Sequence, residues 1–76
     1  MPRYFFDVRA DEMVETDAVG ADLACVEAVE DELTRGVAEI LRGAAPHGAP
    51  RSFEVAVRDA AGRPVVRASL SIERLA

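Results

Sequence analysis

From Phe53 onward the chain alternates. Phe53, Val55 and Val57 are apolar, with Glu54, Ala56 and Arg58 between them. After RDAAGR the alternation resumes: Val66, Ala68, Leu70 and Ile72 against Val65, Arg67, Ser69 and Ser71. Period two marks half-buried strands, and the glycine-bearing gap predicts a hairpin, with strands at about 51–58 and 64–73. Loop length then decides which side chains share a face. A three-residue loop, Ala60–Gly62, would set Val55 opposite Arg67. A four-residue loop, Asp59–Gly62, sets Val55 opposite Val66, Phe53 opposite Ala68 and Glu54 opposite Arg67. The four-residue loop keeps apolar with apolar, and Gly62 supplies its left-handed residue. Pro64 has no N–H to give, so its end is expected at a sheet edge.

The opening RYFFDV reads as a strand over 2–9, with Tyr4, Phe6 and Val8 on one face and Phe5, Asp7 and Arg9 on the other. A second strand is expected over 13–17. A three-residue loop between them would place Val8 opposite Val14, Phe6 opposite Thr16 and Asp7 opposite Glu15. The period then changes. Val26, Val29, Leu33, Val37, Ile40 and Leu41 recur every three or four residues, which predicts a helix over about 26–42. Asp31 and Arg35 are spaced for a helical ion pair. Gly36, inside the helix, suggests a close approach to the sheet. Gly43 and Pro46 end the helix, and GAAPHGAP (43–50) is read as a flexible return to the sheet.

The predicted order is β-β-α-β-β. That is an α+β domain spanning 1–76, with a four-stranded, mainly antiparallel sheet and one helix on one face. The favoured spatial order is second, first, third, fourth strand; exchanging the last two is the alternative. The helix is expected to cover Tyr4, Phe6, Val8, Val14, Phe53, Val55, Val57, Val66, Ala68 and Leu70. The other face would be open. It would carry Phe5, Asp7, Arg9, Glu15, Glu54, Ala56, Arg58, Val65, Arg67, Ser69, Ser71 and Glu73.

Size and charge limit what such a fold can do. A chain of 76 residues buries only about 60% of its unfolded surface, so it gains from a disulfide, a metal or self-association. Cys25 is the only cysteine and His47 the only histidine. An internal disulfide is therefore impossible, and one chain cannot assemble a Cys/His zinc site. Self-association is left as the leading helper. No apolar run has membrane-spanning length and no signal-peptide pattern opens the chain, so a cytoplasmic setting without membrane contact is expected. Residues 1–34 hold ten acids and two arginines, a net of −8; residues 35–76 hold four acids and seven arginines, a net of +3. Acids in the first half of the helix favour its dipole, and the asymmetry could also steer a partner.

The opening MPRYFFDVR resembles the start of a family of short bacterial proteins known only as a domain of unknown function. The similarity continues at Gly20, Leu23, Val26-Glu27-Ala28, Glu32 and the closing VRDAAGRPVVRASLSI, and so covers nearly the whole chain apart from the 43–50 loop. The chain departs from the pattern at Cys25, where the family usually has a capping Asp or Ser; losing that cap costs about 1 kcal/mol. The resemblance implies no activity and no catalytic residue. It supports the predicted order of elements.

No chemistry-bearing constellation stands out. Cys25 at a helix start favours a thiolate, yet no base is placed by sequence to activate it. Asp7 facing Glu15 would be a carboxylate pair, which Arg9 or Arg58 could neutralise. DEMVETDAVGAD fails the calcium-loop pattern at Val19 and Ala21, and GAAPHG lacks the lysine and hydroxyl of a phosphate loop. Arg9, Arg58 and Arg67 could form a basic stripe, but acids interleave with it and the isoelectric point is near 4.7, which disfavours nucleic acid. The expectation is a protein that is not an enzyme and needs no cofactor or metal: a binding or assembly module. It would form a dimer, or bind another protein, through the open face or an edge strand. The candidate interface is Phe5, Arg9, Arg58, Val65, Arg67, Ser69 and Ser71. A small regulator that binds nucleic acid, or a nucleic-acid-binding partner, is the alternative.

Overall fold

The computed structural model describes residues 1–44, 48 and 50–76. Among these residues six elements follow one another: β1 (Arg3–Ala10), β2 (Met13–Glu15), β3 (Ala21–Asp22), α1 (Val26–Ala44), β4 (Ser52–Asp59) and β5 (Pro64–Ser71). The sheet runs β2-β1-β4-β5 with every pairing antiparallel, and β3 also pairs with β1. The expected α+β architecture and the favoured strand order are both present. The two-residue β3 is an addition: the connector after Asp17 returns to β1 before entering the helix. Residues 45–47 and 49 of the predicted 43–50 loop lie outside the described residues.

The first hairpin turns more tightly than the sequence suggested. Asp11 and Glu12 form a two-residue turn, with Val8 opposite Glu15, Arg9 opposite Val14 and Ala10 opposite Met13. Asp11 takes a left-handed φ of 55°, a conformation that aspartate tolerates better than most residues. Asp11 Oδ1 accepts the N–H groups of Arg51 and Ser52, both at 3.0 Å, and its own N–H donates to the Ser52 carbonyl at 2.8 Å. These bonds to β4 hold the turn in place. The register moves by one residue, so Val14 leaves the core face and lies 62% exposed beside Arg9. Glu15 moves to the helix side of the sheet.

The second hairpin reaches the expected faces by a different route. The Asp59 N–H donates to the Arg63 carbonyl at 2.9 Å, so the loop is the three-residue Ala60–Gly62, with Gly62 at φ 85°. Asp59 Oδ1 accepts the N–H groups of Ala61 and Arg63 and braces the turn. That loop alone would have faced Val55 with Arg67. An irregularity next to Val57 and Arg58 absorbs one extra residue of β5, Val65, and a bulge of this kind restores the parity. The pairs are Val57–Val66, Val55–Ala68, Phe53–Leu70 and Glu54–Ser69. The faces match expectation, and the partners are shifted by two residues.

The core is thin. Tyr4, Val29, Leu33, Phe53, Val55 and Val57 are buried, and Phe6, Val8, Val37, Val66, Ala68 and Leu70 pack partly against them. Helix α1 runs closest to β5. It therefore covers β4 and β5 better than it covers β1, where Phe6 and Val8 stay half-buried. Gly36 does not mark a close approach to the sheet, because a Cβ there would meet nothing within 4 Å. Arg35 pairs with Glu32 at 3.6 Å rather than with Asp31.

Candidate interface on the sheet

Cross-strand rows build the face away from the helix: Phe5–Arg58–Pro64, Asp7–Ala56–Arg67, and Arg9–Glu54–Ser69. This face is not uniformly open. One end is closed by the segment that follows β2. Asp17 holds that segment, because its two carboxylate oxygens accept three backbone N–H groups. Oδ2 takes Phe6 at 3.0 Å, and Oδ1 takes Val19 at 2.9 Å and Gly20 at 3.0 Å. Phe6 is an outward backbone donor in the gap between β2 and β3, so Asp17 serves that gap as a strand would. In return the Asp17 N–H donates to Asp7 Oδ1 at 2.9 Å.

Arg58 locks the same corner. Its Nε donates to Asp7 Oδ2 at 2.9 Å and its Nη2 to the Asp17 carbonyl at 2.9 Å. Its guanidinium carbon lies 4.6 Å from the centre of the Phe5 ring, within cation–π range. Arg3 adds a bond from its guanidinium to the Val19 carbonyl at 2.6 Å and an ion pair with Asp22 at 3.1 Å. Gly20, at φ 78°, lies so close to β1 that a Cβ would fall 2.9 Å from both Phe5 Cε2 and the Tyr4 carbonyl oxygen. The bond from Arg58 holds the Asp7 carboxyl below its ordinary value, and the backbone donors, Phe6 first, do the same for Asp17.

These contacts redistribute the expected interface. Asp7 does not face Glu15; its partner is Arg58, one of the two arginines considered for that role. Phe5 and Arg58 are half-buried and occupied within the chain, so they no longer count as open contact surface. Val65, at the irregularity beside Val57 and Arg58, lines a shallow depression of this face with Glu54, Ala56 and Arg67 and also packs partly against the core cluster. Arg9, Arg67, Ser69 and Ser71 remain exposed. Among the described residues neither Arg9 nor Arg67 has an ion pair.

Strand β5 is the other end of the sheet, and among the described residues it pairs with β4 alone. The Ile72 N–H donates to the Arg51 carbonyl at 2.9 Å, and this bond fixes the alternation. Residues 66, 68, 70 and 72 turn their backbone groups toward β4, whereas Arg67, Ser69 and Ser71 turn theirs outward. Pro64 lies opposite Arg58, across from the turn, with its nitrogen outward as its chemistry requires. A row of donors and acceptors unpaired among the described residues thus runs beside the exposed side chains of Arg67, Ser69 and Ser71.

Cys25 is exposed, and its carbonyl accepts the Val29 N–H at 3.1 Å, which makes it the helix cap residue. Its thiol has no hydrogen-bond partner among the described residues. His47 lies outside the described residues. Asp17 is the structural residue that reading the sequence missed. Its signal was DAVG, an aspartate followed three residues later by glycine, which is the composition of a side-chain-capped turn. Among the described residues, no helix is long and apolar enough to cross a membrane.

A family model described as a domain of unknown function, DUF6894, matches residues 3–71. No curated protein and no solved structure matches the chain. The match takes in the latched corner, the helix and nearly all of β5, and the chain belongs to the DUF6894 family.

Proposed function

We propose that this protein is a non-catalytic assembly module in which β5 of one copy pairs with β5 of a second, extending the sheet across the pair. One observation carries the reading: an eight-residue strand ends the sheet, with the backbone groups of Arg67, Ser69 and Ser71 turned outward and unpaired among the described residues. Antiparallel pairing about a two-fold axis joins the same strand of both copies, the simplest closed arrangement. It also helps a thin core that buries six of the described residues. Arg67, Ser69 and Ser71 would flank the seam. The nucleic-acid reading loses weight because Arg58 is engaged by Asp7 and Asp17, which leaves Arg9 and Arg67 of the basic stripe. A single cysteine with no partner in its own chain suits a reduced, cytoplasmic setting.

Sedimentation equilibrium at micromolar protein tests the reading. The expected mass is twice 8.2 kDa, returning to the monomer value in Ser69→Pro, which removes an outward donor without touching the β4 ladder. A monomer mass for the parent protein across the concentration range would rule the edge pairing out.

A further inference from the structure

The offset of α1 toward β5 leaves a groove on the other side of the helix. Its walls are Phe6 and Val8 of β1, Val55 of β4, and Leu33, Gly36, Val37 and Ile40 of α1, and its volume is about 200 Å³. That space suits one or two large apolar side chains. Three observations bear on what enters it.

Gly36 is a helix-interior glycine that no neighbour among the described residues requires to be one. A glycine there is less favourable than alanine by about 1 kcal/mol, and a Cβ would meet open space. The space it leaves lies in the groove, where it lets another backbone approach the helix closely. Ile40 is 42% exposed although it lines the groove. The third observation is charge. Among the described residues Glu32 is the one charged residue in the lining, and its pair with Arg35 is long, at 3.6 Å, with both side chains about half exposed or more. The register places Glu15 opposite Val8, on the groove side of the sheet. The wall and rim are therefore apolar and acidic, on a chain whose first 34 residues carry a net of −8.

From this we infer that the groove is a docking site for a basic amphipathic helix of another protein. Apolar side chains at helical spacing enter beside Gly36, and flanking lysines or arginines face Glu32 and Glu15. A second copy of this chain fits less well, because two such faces would bring acid against acid. The site is separate from the β5 edge and does not depend on it.

The test uses the full chain and a synthetic helix with leucines at i, i+3, i+4 and i+7 and lysines elsewhere, beside a counterpart with glutamates in place of the lysines. Binding is read by fluorescence anisotropy at low salt, and the site by amide chemical shifts. The lysine peptide should bind, weaken as salt rises, and shift the amides of Leu33, Gly36, Val37 and Ile40. The glutamate peptide should not bind. Gly36→Leu is the decisive variant: it should raise the melting temperature, since it improves the helix, and weaken the lysine peptide roughly tenfold or more by filling the groove. Glu32→Lys should weaken it too while leaving the fold intact. The proposal is overturned by equal binding of both peptides, by no binding of either, by shifts spread over the acidic surface instead of the groove, or by unchanged affinity in Gly36→Leu. A parent dimer that Gly36→Leu converts to monomer would put a second copy in the groove and overturn it as well.

Discussion

At the β1 margin of the sheet, the Phe6 N–H goes to Asp17, and short strands pair with the residues on either side of it. At the β5 margin, the outward groups of Arg67, Ser69 and Ser71 have no partner among the described residues. The first margin is closed by β2 and by the chain that follows it, which folds back, brings Asp17 to the Phe6 N–H and pairs again as β3. The second is a full-length strand left as it is. Sheet edges left unprotected pair with other chains, and proteins that are to stay monomeric blunt them. This protein blunts one edge thoroughly and leaves the other available, so its surface has a direction.

The contrast can be broken first at Asp17. Asp17→Ala strips the acceptor from three backbone donors, two of them on half-buried residues, and should cost about 2–3 kcal/mol; urea unfolding measures it, and a loss below about 0.5 kcal/mol would mean that Asp17 does not hold the closed margin. Gly20→Ala should cost about 1–3 kcal/mol, because alanine is strained at φ 78° and its Cβ collides with the Tyr4 carbonyl. The amide shifts of residues 16–22 should move with it. Arg58→Met should cost about 1 kcal/mol, since its ion pair with Asp7 is one-third exposed and partly screened. Ser69→Pro should change the stability of the monomer by less than about 1 kcal/mol, since no bond to β4 is lost. An equally large loss at both margins would erase the difference between them.

Acid sharpens the same comparison. Asp7 and Asp17 titrate below the ordinary carboxylate value of 3.8 in the folded protein. The stability they supply is therefore fully present above that value and is lost as pH falls through their lowered folded values. As pH falls below the ordinary carboxylate range the closed margin should loosen, with hydrogen exchange rising at Phe6, Val19 and Gly20. Asp59, also held low by the N–H groups of Arg63 and Ala61, makes the second turn acid-sensitive at Ala61 and Arg63 but leaves the β4–β5 ladder itself without such a group. Asp17→Asn should flatten that part of the pH dependence. Simultaneous loss of protection along the β4–β5 ladder would show that the latch is not a separate unit.

Much of the fold was legible because local periodicity and tertiary burial agree. Alternation in 53–57 and 66–70 and the three-to-four spacing in 26–41 each point to the element that forms, and Gly62 stands where the turn requires it. The register was less legible, for a physical reason. The first turn is set by Asp11 reaching residues 51 and 52, some forty positions away, and no local pattern reports that. In the second hairpin the bulge at Val65 repairs a loop one residue shorter than expected; the sequence shows that apolar residues must share a face but not by which irregularity they do so. The interface residues divide along the same line. Ser69 and Ser71 follow from alternation alone, whereas Phe5 and Arg58 were withdrawn from the surface by a connector whose path the sequence did not display.

By itself the amino-acid sequence determined the helix, the four strands other than β3, their order and the faces buried by β1, β4, β5 and α1, because these follow from side-chain period and from the need to remove apolar groups from water. Only the tertiary structure decided which edge is closed, where the helix rests over the sheet, and that Gly36 opens onto a groove instead of packing on β1. Those choices depend on hydrogen bonds and packing between residues far apart in the chain. Asp11, Asp17 and Arg58 make such bonds, each to residues ten or more positions away.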